Sequence, residues 1–122
     1  MASPRWDPSP AALTQNHSVT PEEANARTDL HLLDVREPDE WDAGHIAGAQ
    51  HIPLGQLRDR LAEVPTDKPI LAICRHGSRS ESAARGLRTL GLTVENLEGG
   101  VTAWTRAGLP LESADGRAGR VV

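Results

Sequence analysis

The sequence predicts an α/β domain with a mostly parallel sheet covered by helices on both faces. Three observations carry that prediction. Short apolar runs alternate with helical patterns along the whole chain. The run Pro69-Ile70-Leu71-Ala72-Ile73-Cys74 has apolar residues on both faces, as a central strand of a parallel sheet requires. No tight hairpin signal separates any two strands.

At 122 residues the chain fits one domain with one hydrophobic core. An apolar fraction of 38% beside 25% charged residues belongs to a globular protein rather than a disordered one. Three Trp stand with no Phe or Tyr, so the core must be built from Leu, Ile, Val and Ala, with each Trp expected to anchor something.

Residues 1–16 are rich in Pro, Ser and Ala without periodicity and are expected to form a flexible tail. Thr20-Pro21-Glu22-Glu23 then reads as a helix start: Thr20 caps, Pro21 suits the first helical position, and Glu23 closes a capping box. That helix runs to about Thr28. Leu30 to Val35 reads as a strand, and Glu37 to Asp42 as a short helix ended by Gly44. Ala49 to Pro53 is a brief strand. Leu54, Leu57, Leu61 and Val64 fall at helical spacing and predict an amphipathic helix that stops before Pro65.

After the strand over residues 69–74 comes a polar loop, Arg75-His76-Gly77-Ser78-Arg79. Ala83, Ala84, Leu87 and Leu90 mark the buried face of a helix that Gly91 ends. Leu92 to Leu97 is another strand, followed by a Gly99-Gly100 turn and a helix from Val101 to Ala107. Residues after about Glu112 read as a polar tail.

The net charge of −4 supplies no global positive field for nucleic acid or an anionic membrane. No apolar stretch approaches the ~20 residues that span a bilayer. Met1 to Pro8 lacks the apolar stretch of a secretory signal, so a cytoplasmic location is expected. Twelve arginines against one lysine suggest a GC-rich, bacterial genome.

One cysteine excludes an internal disulfide and a multi-thiolate zinc site. It also leaves no resolving partner within the chain, so whatever Cys74 takes up must leave to another molecule. In open α/β sheets ligands bind where strand ends lead into helices, and Cys74 stands at such a point. A helix N-terminus there offers unpaired N–H groups and partial positive charge. Gly77 permits a backbone that turns N–H groups inward. Residues 74–88 hold Arg75, Arg79, Arg85 and Arg88 against Glu81, a local excess of three positive charges. This setting favours a nucleophilic thiolate over an inert core cysteine.

Here a family resemblance emerges. Cys74-Arg75-His76-Gly77-Ser78-Arg79-Ser80 resembles the active-site loop of rhodanese domains. So do Leu33-Asp34-Val35-Arg36-Glu37 with Glu40-Trp41, Gly44-His45-Ile46, Gly48-Ala49, Ile52-Pro53, and Leu97-Glu98-Gly99-Gly100 with Ala103-Trp104, Gly108 and Pro110. The resemblance spans residues 17–112 and leaves 113–122 as a C-terminal tail. One departure is Gln50-His51, where many members carry Asn before Ile-Pro. The resemblance implies a three-layer domain with a five-stranded, mostly parallel sheet and a persulfide on Cys74. It also implies transfer of sulfane sulfur from thiosulfate or a persulfide donor to cyanide, a thiol or a protein acceptor.

Double displacement is the expected mechanism, with Arg75, His76, Gly77, Ser78 and Arg79 holding the anion and no metal or organic cofactor required. Asp34 is expected to orient the loop or Arg36, and Arg36 with Glu40 to form a surface pair. His45 and His51 lack a third ligand at sensible spacing and read as structural. His76 either donates to the anion or faces solvent. Trp41 and Trp104 read as core anchors, and Ser78 and Ser80 as helix caps.

Two other classes stay open. One is a phosphatase or arsenate reductase on the related scaffold. There the cysteine phosphatases place five residues between cysteine and arginine, with His before the cysteine. Here four residues intervene and Ile73 precedes. The other is a binding module or sulfur relay. Intact Cys74 and Arg79 count against an idle domain but not against a relay.

Overall fold

The computed structural model describes residues 5–10 and 18–122. Its elements are β1 (Ser18–Val19), α1 (Pro21–Ala26), β2 (His31–Asp34), α2 (Pro38–Ala43), β3 (Gln50–His51), α3 (Leu54–Leu57), β4 (Ile70–Ile73), α4 (Ser78–Thr89), β5 (Val94–Leu97) and α5 (Gly100–Arg106). The five strands pair in parallel in the order β1-β5-β4-β2-β3, which puts β4 at the centre. Every strand therefore ends at the same edge of the sheet, and Cys74 follows the central one.

The pleat of β4 divides the core into two. Ile70, Ala72 and Cys74 pack with Leu57, Ala83, Ala84 and Leu87 under α3 and α4. Leu71 and Ile73 pack with Ala24, Val101 and Trp104 under α1 and α5. All four residues of β4 are buried, which is why the run is apolar at every position.

Local signals set most boundaries. Thr20 Oγ1 accepts the Glu23 N–H at 3.2 Å and Pro21 begins α1. A capping box between Glu37 and Glu40 starts α2. The expected helix over Leu54 to Val64 departs from regularity. It is α-helical only over Leu54–Leu57, then continues as a 3₁₀-helix over Arg58–Glu63 with Arg60 out of the helical region at φ −115°, ψ 23°. The apolar spacing still turns Leu57 and Leu61 toward the core. β1, only two residues long, was not readable as a strand. Its pairing with Asn96 and Leu97 creates it.

The two termini differ from the expected tails. Residues 1–4 and 11–17 of the N-terminal stretch lie outside the described residues. Trp6, within that stretch, packs against the α4-side core, with its ring over Gly86, and the Asp7 N–H donates to Thr89 Oγ1 at 3.0 Å. At the other end, the Gly119 N–H reaches Leu111 O at 2.8 Å and the Arg120 N–H reaches Ala43 O at 2.9 Å. The C-terminal segment is thus hydrogen-bonded to the domain, and Val121 packs on the α5-side core. Small residues let the backbones of Gly44 and Gly119 meet where a polar composition alone suggested a free end.

Among the described residues, no helix is long and apolar enough to cross a membrane.

Candidate active site

Cys74 sits one residue beyond β4, and α4 begins four residues later at Ser78. The connection is short because Gly77 takes a left-handed conformation at φ 106°, which other residues rarely adopt. That turn aims the Gly77 N–H at the Cys74 sulfur, with N···Sγ 3.0 Å. Gly77, rather than Ser78 or Ser80, is the N-cap of α4, and it supplies no side-chain cap. Its carbonyl accepts the Glu81 N–H at 3.1 Å, so the amides of Ser78, Arg79 and Ser80 lie in the helix's first turn, where no intrahelical acceptor exists.

α5 fixes the other side of the loop. The Val101 N–H donates to Cys74 O at 2.9 Å, and the Thr102 N–H to Arg75 O at 3.1 Å. A trans peptide points its N–H opposite its carbonyl, so the amides of Arg75 and His76 face away from α5. This contact needs a glycine at position 100. A Cβ there would stand 2.3 Å from Cys74 O.

Ser80 corrects the reading as a cap most sharply. It is fully buried, its hydroxyl lies 3.2 Å from Cys74 Sγ, and it is hydrogen-bonded to Asn96 Oδ1. Asn96 in turn donates to Gly77 O at 2.9 Å. Asn96 pairs in register with Ala72, so its side chain emerges on the same face of the sheet as Cys74. Sequence reasoning places Ser80 in the loop as a helix cap, with no role at the sulfur, and misses Asn96 altogether. The available signal was a polar residue in a buried strand, Val94-Glu95-Asn96-Leu97.

The arginines also differ from expectation. Arg36 is not on the surface. It is fully buried, its guanidinium holds Asp34 Oδ2 at 2.8 Å, and it donates to Gly44 O at 2.7 Å and Glu40 O at 3.3 Å. Asp34 is equally buried and also accepts the Arg36 N–H at 3.0 Å. The expected Arg36–Glu40 surface pair therefore does not form. A carboxylate two residues away captures the guanidinium first, and the Glu40 side chain reaches Arg79 instead, at 2.7 and 2.8 Å. Arg79 raises its affinity for its proton through these hydrogen bonds, while Glu40 is lowered from 4.5 to about 2 chiefly by the same contact.

The local charge excess is accordingly smaller in space than in sequence. Glu40 joins Arg79, and Glu81 lies 3.5 and 3.4 Å from Arg85 and Arg88. Arg75 is exposed and, among the described residues, its guanidinium has no side-chain partner. His76 is exposed beside it. Cys74 itself is only 1% exposed, so a reactant must enter the loop to meet the sulfur.

His45 and His51 flank Trp41, with ring centroids 3.7 and 4.7 Å away and planes within 4° and 8° of parallel. His45 Nδ1 donates to Trp41 O and His51 Nε2 to Arg36 O. Trp41 is thus half-buried between two imidazoles instead of in either apolar cluster. Trp104 is a core anchor, with Nε1–H donating to Pro110 O at 2.9 Å. Among the described residues, no group of three His, Cys, Asp or Glu could hold a metal ion.

An uncharacterised protein of Bacillus subtilis, YqhL, is 50% identical over 74 residues, which cover 60% of this chain and 59% of YqhL. The thiosulfate sulfurtransferase GlpE of Pseudomonas putida is 39% identical over 88 residues, covering 71% of this chain and 79% of GlpE. A crystal structure of a rhodanese-related protein from Thermoplasma volcanium superposes with a TM-score of 0.75 at 35% identity, covering 78% and 96% of the two chains. A Rhodopseudomonas palustris protein, described as a possible tyrosine phosphatase, superposes at 0.69 with 28% identity, covering 80% and 85%. The family model described as a rhodanese-like domain matches residues 20–107. That match spans the strand, loop and helix that hold Cys74, and the chain belongs to the rhodanese family.

Proposed function

We propose that this protein is a sulfurtransferase that carries sulfane sulfur on Cys74, taking it from thiosulfate or a persulfide and passing it to cyanide or a thiol. The observation that carries the reading is the Cys74 sulfur at the mouth of α4, accepting the Gly77 N–H at 3.0 Å. An anionic sulfur or sulfur donor placed there meets backbone N–H groups and the positive end of a 12-residue helix.

In the proposed cycle the Cys74 thiolate attacks the outer sulfur of thiosulfate. A bond forms between Sγ and that sulfur, the bond to the sulfonate sulfur breaks, and its electron pair leaves with sulfite. The negative charge then rests on the terminal sulfur of the persulfide, within reach of the loop amides. A cyanide or thiolate attacks that terminal sulfur, and the electron pair returns to Sγ. Arg75, exposed and without a side-chain partner among the described residues, supports recognition of the donor, and Arg79 does so from its position beside Glu40.

Loop size argues for this chemistry over phosphoryl transfer. Only Arg75, His76, Gly77 and Ser78 separate Cys74 from Arg79. A phosphate needs donors around three equatorial oxygens with room for in-line attack, and a ~1 Å misplacement costs about a hundredfold in rate.

Mass spectrometry of the protein after thiosulfate treatment tests the reading. One added sulfur on Cys74, removed by cyanide, is expected, with no adduct and no thiosulfate:cyanide turnover in Cys74→Ser. Turnover retained in that variant, or Cys74-dependent hydrolysis of an aryl phosphate, would overturn the proposal.

A further inference from the structure

We propose that Asn96 is a positioning residue for the Cys74 sulfur: it competes with that sulfur for the single hydroxyl proton of Ser80. The competition disfavours the empty thiolate relative to the thiol and the sulfur-loaded cysteine. This second consequence rests on the sulfur-carrying reading above, whereas the competition itself does not.

The Gly77 carbonyl only accepts, so the Asn96 atom 2.9 Å from it is the amide nitrogen. The amide oxygen is thereby turned to Ser80 Oγ, which is also 3.2 Å from Cys74 Sγ. A serine hydroxyl carries one proton. Two acceptors, one an amide oxygen and one the reactive sulfur, face it in a site where Ser80 is 0% and Asn96 6% exposed. Water cannot readily replace whichever bond is lost.

Three states of the sulfur then differ. As a thiol, S–H donates to Ser80 Oγ, Ser80 to Asn96 Oδ1, Asn96 Nδ2 to Gly77 O, and the Gly77 N–H to Sγ. The ring closes and every member is satisfied. When the thiol loses its proton to solvent, the thiolate becomes an acceptor only. Ser80 must either turn to the sulfur and strand a buried amide oxygen, or stay with Asn96 and present its lone pairs to an anion. When the cysteine is loaded, the charge moves to the terminal sulfur and Sγ becomes a weak, neutral acceptor. Ser80 then rests on Asn96 without conflict. Of the three states, only the empty thiolate is penalised.

The pH profile of Cys74 alkylation by iodoacetamide, measured on the full chain, tests the competition because it needs no sulfur donor. The variants are Ser80→Ala, Asn96→Ala and the double substitution. With Asn96 absent, Ser80 is free to serve the thiolate, so Ser80→Ala should raise the midpoint by roughly one pH unit. With Asn96 present the same substitution should move it by less than half as much. An equal or smaller effect in the Asn96→Ala background would show that Asn96 merely orients Ser80, and would overturn the inference. Ser80→Thr should restore the wild-type profile, and a profile like that of Ser80→Ala would overturn it too.

If Asn96→Ala does not fold, Asn96→Leu, which also removes the competing amide oxygen while keeping side-chain volume, takes its place with the same expected and refuting outcomes. The second consequence is read by titrating loaded protein with sulfite. Asn96→Ala should need roughly tenfold more thiosulfate relative to sulfite for half-loading, the equilibrium counterpart of one pH unit. An unchanged loading ratio overturns the preference for the loaded state. If wild type takes up no sulfur while the alkylation pattern holds, the sulfur-transfer reading fails and the competition stands.

Discussion

Two arginine–carboxylate pairs stand within the same molecule and do different things. In one, Arg36 and Asp34 are both 0% exposed, and the guanidinium also satisfies the carbonyls of Gly44 and Glu40. In the other, the Arg79 and Glu40 side chains are 35% and 13% exposed and meet through two hydrogen bonds of 2.7 and 2.8 Å. The first ties β2 to the carbonyl end of α2 and commits its charges to the scaffold. The second joins α2 to the first turn of α4 beside the Cys74 loop, where solvent and any anion it carries can compete for the guanidinium. Burial, rather than residue type, separates an arginine that holds the fold from one that can serve a ligand.

Breaking the buried pair should produce the largest effect on the fold. Asp34→Asn leaves the Arg36 charge inside the domain without a counter-ion, a loss of about 3–5 kcal/mol. A urea titration should show a lower midpoint with a similar slope, while the folded fraction still alkylates at Cys74. A loss below 1 kcal/mol would mean that water reaches Arg36, contrary to its burial.

The exposed side of the comparison should answer in kinetics rather than stability. Removing the charge-assisted contact of either loop arginine, by Arg75→Gln or Arg79→Gln, should cost about 1.5–3 kcal/mol in donor use, or roughly ten- to a hundredfold in kcat/KM. Added salt should reproduce part of the Arg75 loss, because that guanidinium is exposed, and less of the Arg79 loss, because Glu40 already accompanies it. Equal salt responses in the two variants would erase the distinction, and unchanged donor kinetics in both would assign the site to the backbone alone.

The same contrast explains what the sequence made legible. Cys74, Gly77 and the central strand announce themselves locally: an apolar run, one thiol, a glycine and a helix pattern all lie between Pro69 and Leu90. Asp34 beside Arg36 was readable in part, as one of two roles for the carboxylate, while Arg36 itself was expected to meet Glu40 at the surface. The Glu40–Arg79 pair bridges 39 positions, and the Ser80–Asn96 contact bridges 16. No local periodicity encodes such separations; only the parallel register of β4 and β5 and the docking of α2 create them. Ser80 resembled a cap because serine at a helix start usually is one, and Gly77 took that place through its left-handed turn. Trp6 was hidden for a similar reason, as a Pro- and Ser-rich stretch gives no sign that one ring will settle over Gly86.

The smallest effect concerns pH and isolates the Glu40–Arg79 pair from everything else. Hydrogen bonding by Arg79 lowers Glu40 from 4.5 to about 2, so its folded value lies below its unfolded one. A depressed carboxylate contributes stability that is fully present above its unfolded value and declines as pH falls from there through the folded one. The contribution should therefore be constant between about pH 5 and pH 8, shrink from about 4.5 downward, and vanish near about 2. Because Arg79 is a third exposed, its size should stay within about 0.2–1 kcal/mol rather than the larger figure the shift alone would suggest. Urea midpoints of the natural protein and Glu40→Gln, compared across that range, read the pair directly. The two curves should run parallel at neutral pH and converge in acid. Curves that stay apart at the acid end would assign the Glu40→Gln difference to packing instead of the ion pair, since a glutamine oxygen can still accept the Glu37 N–H. The pH dependence of sulfur transfer between about pH 5 and pH 8 should likewise contain no step from Glu40, since the carboxylate is already ionised throughout that window.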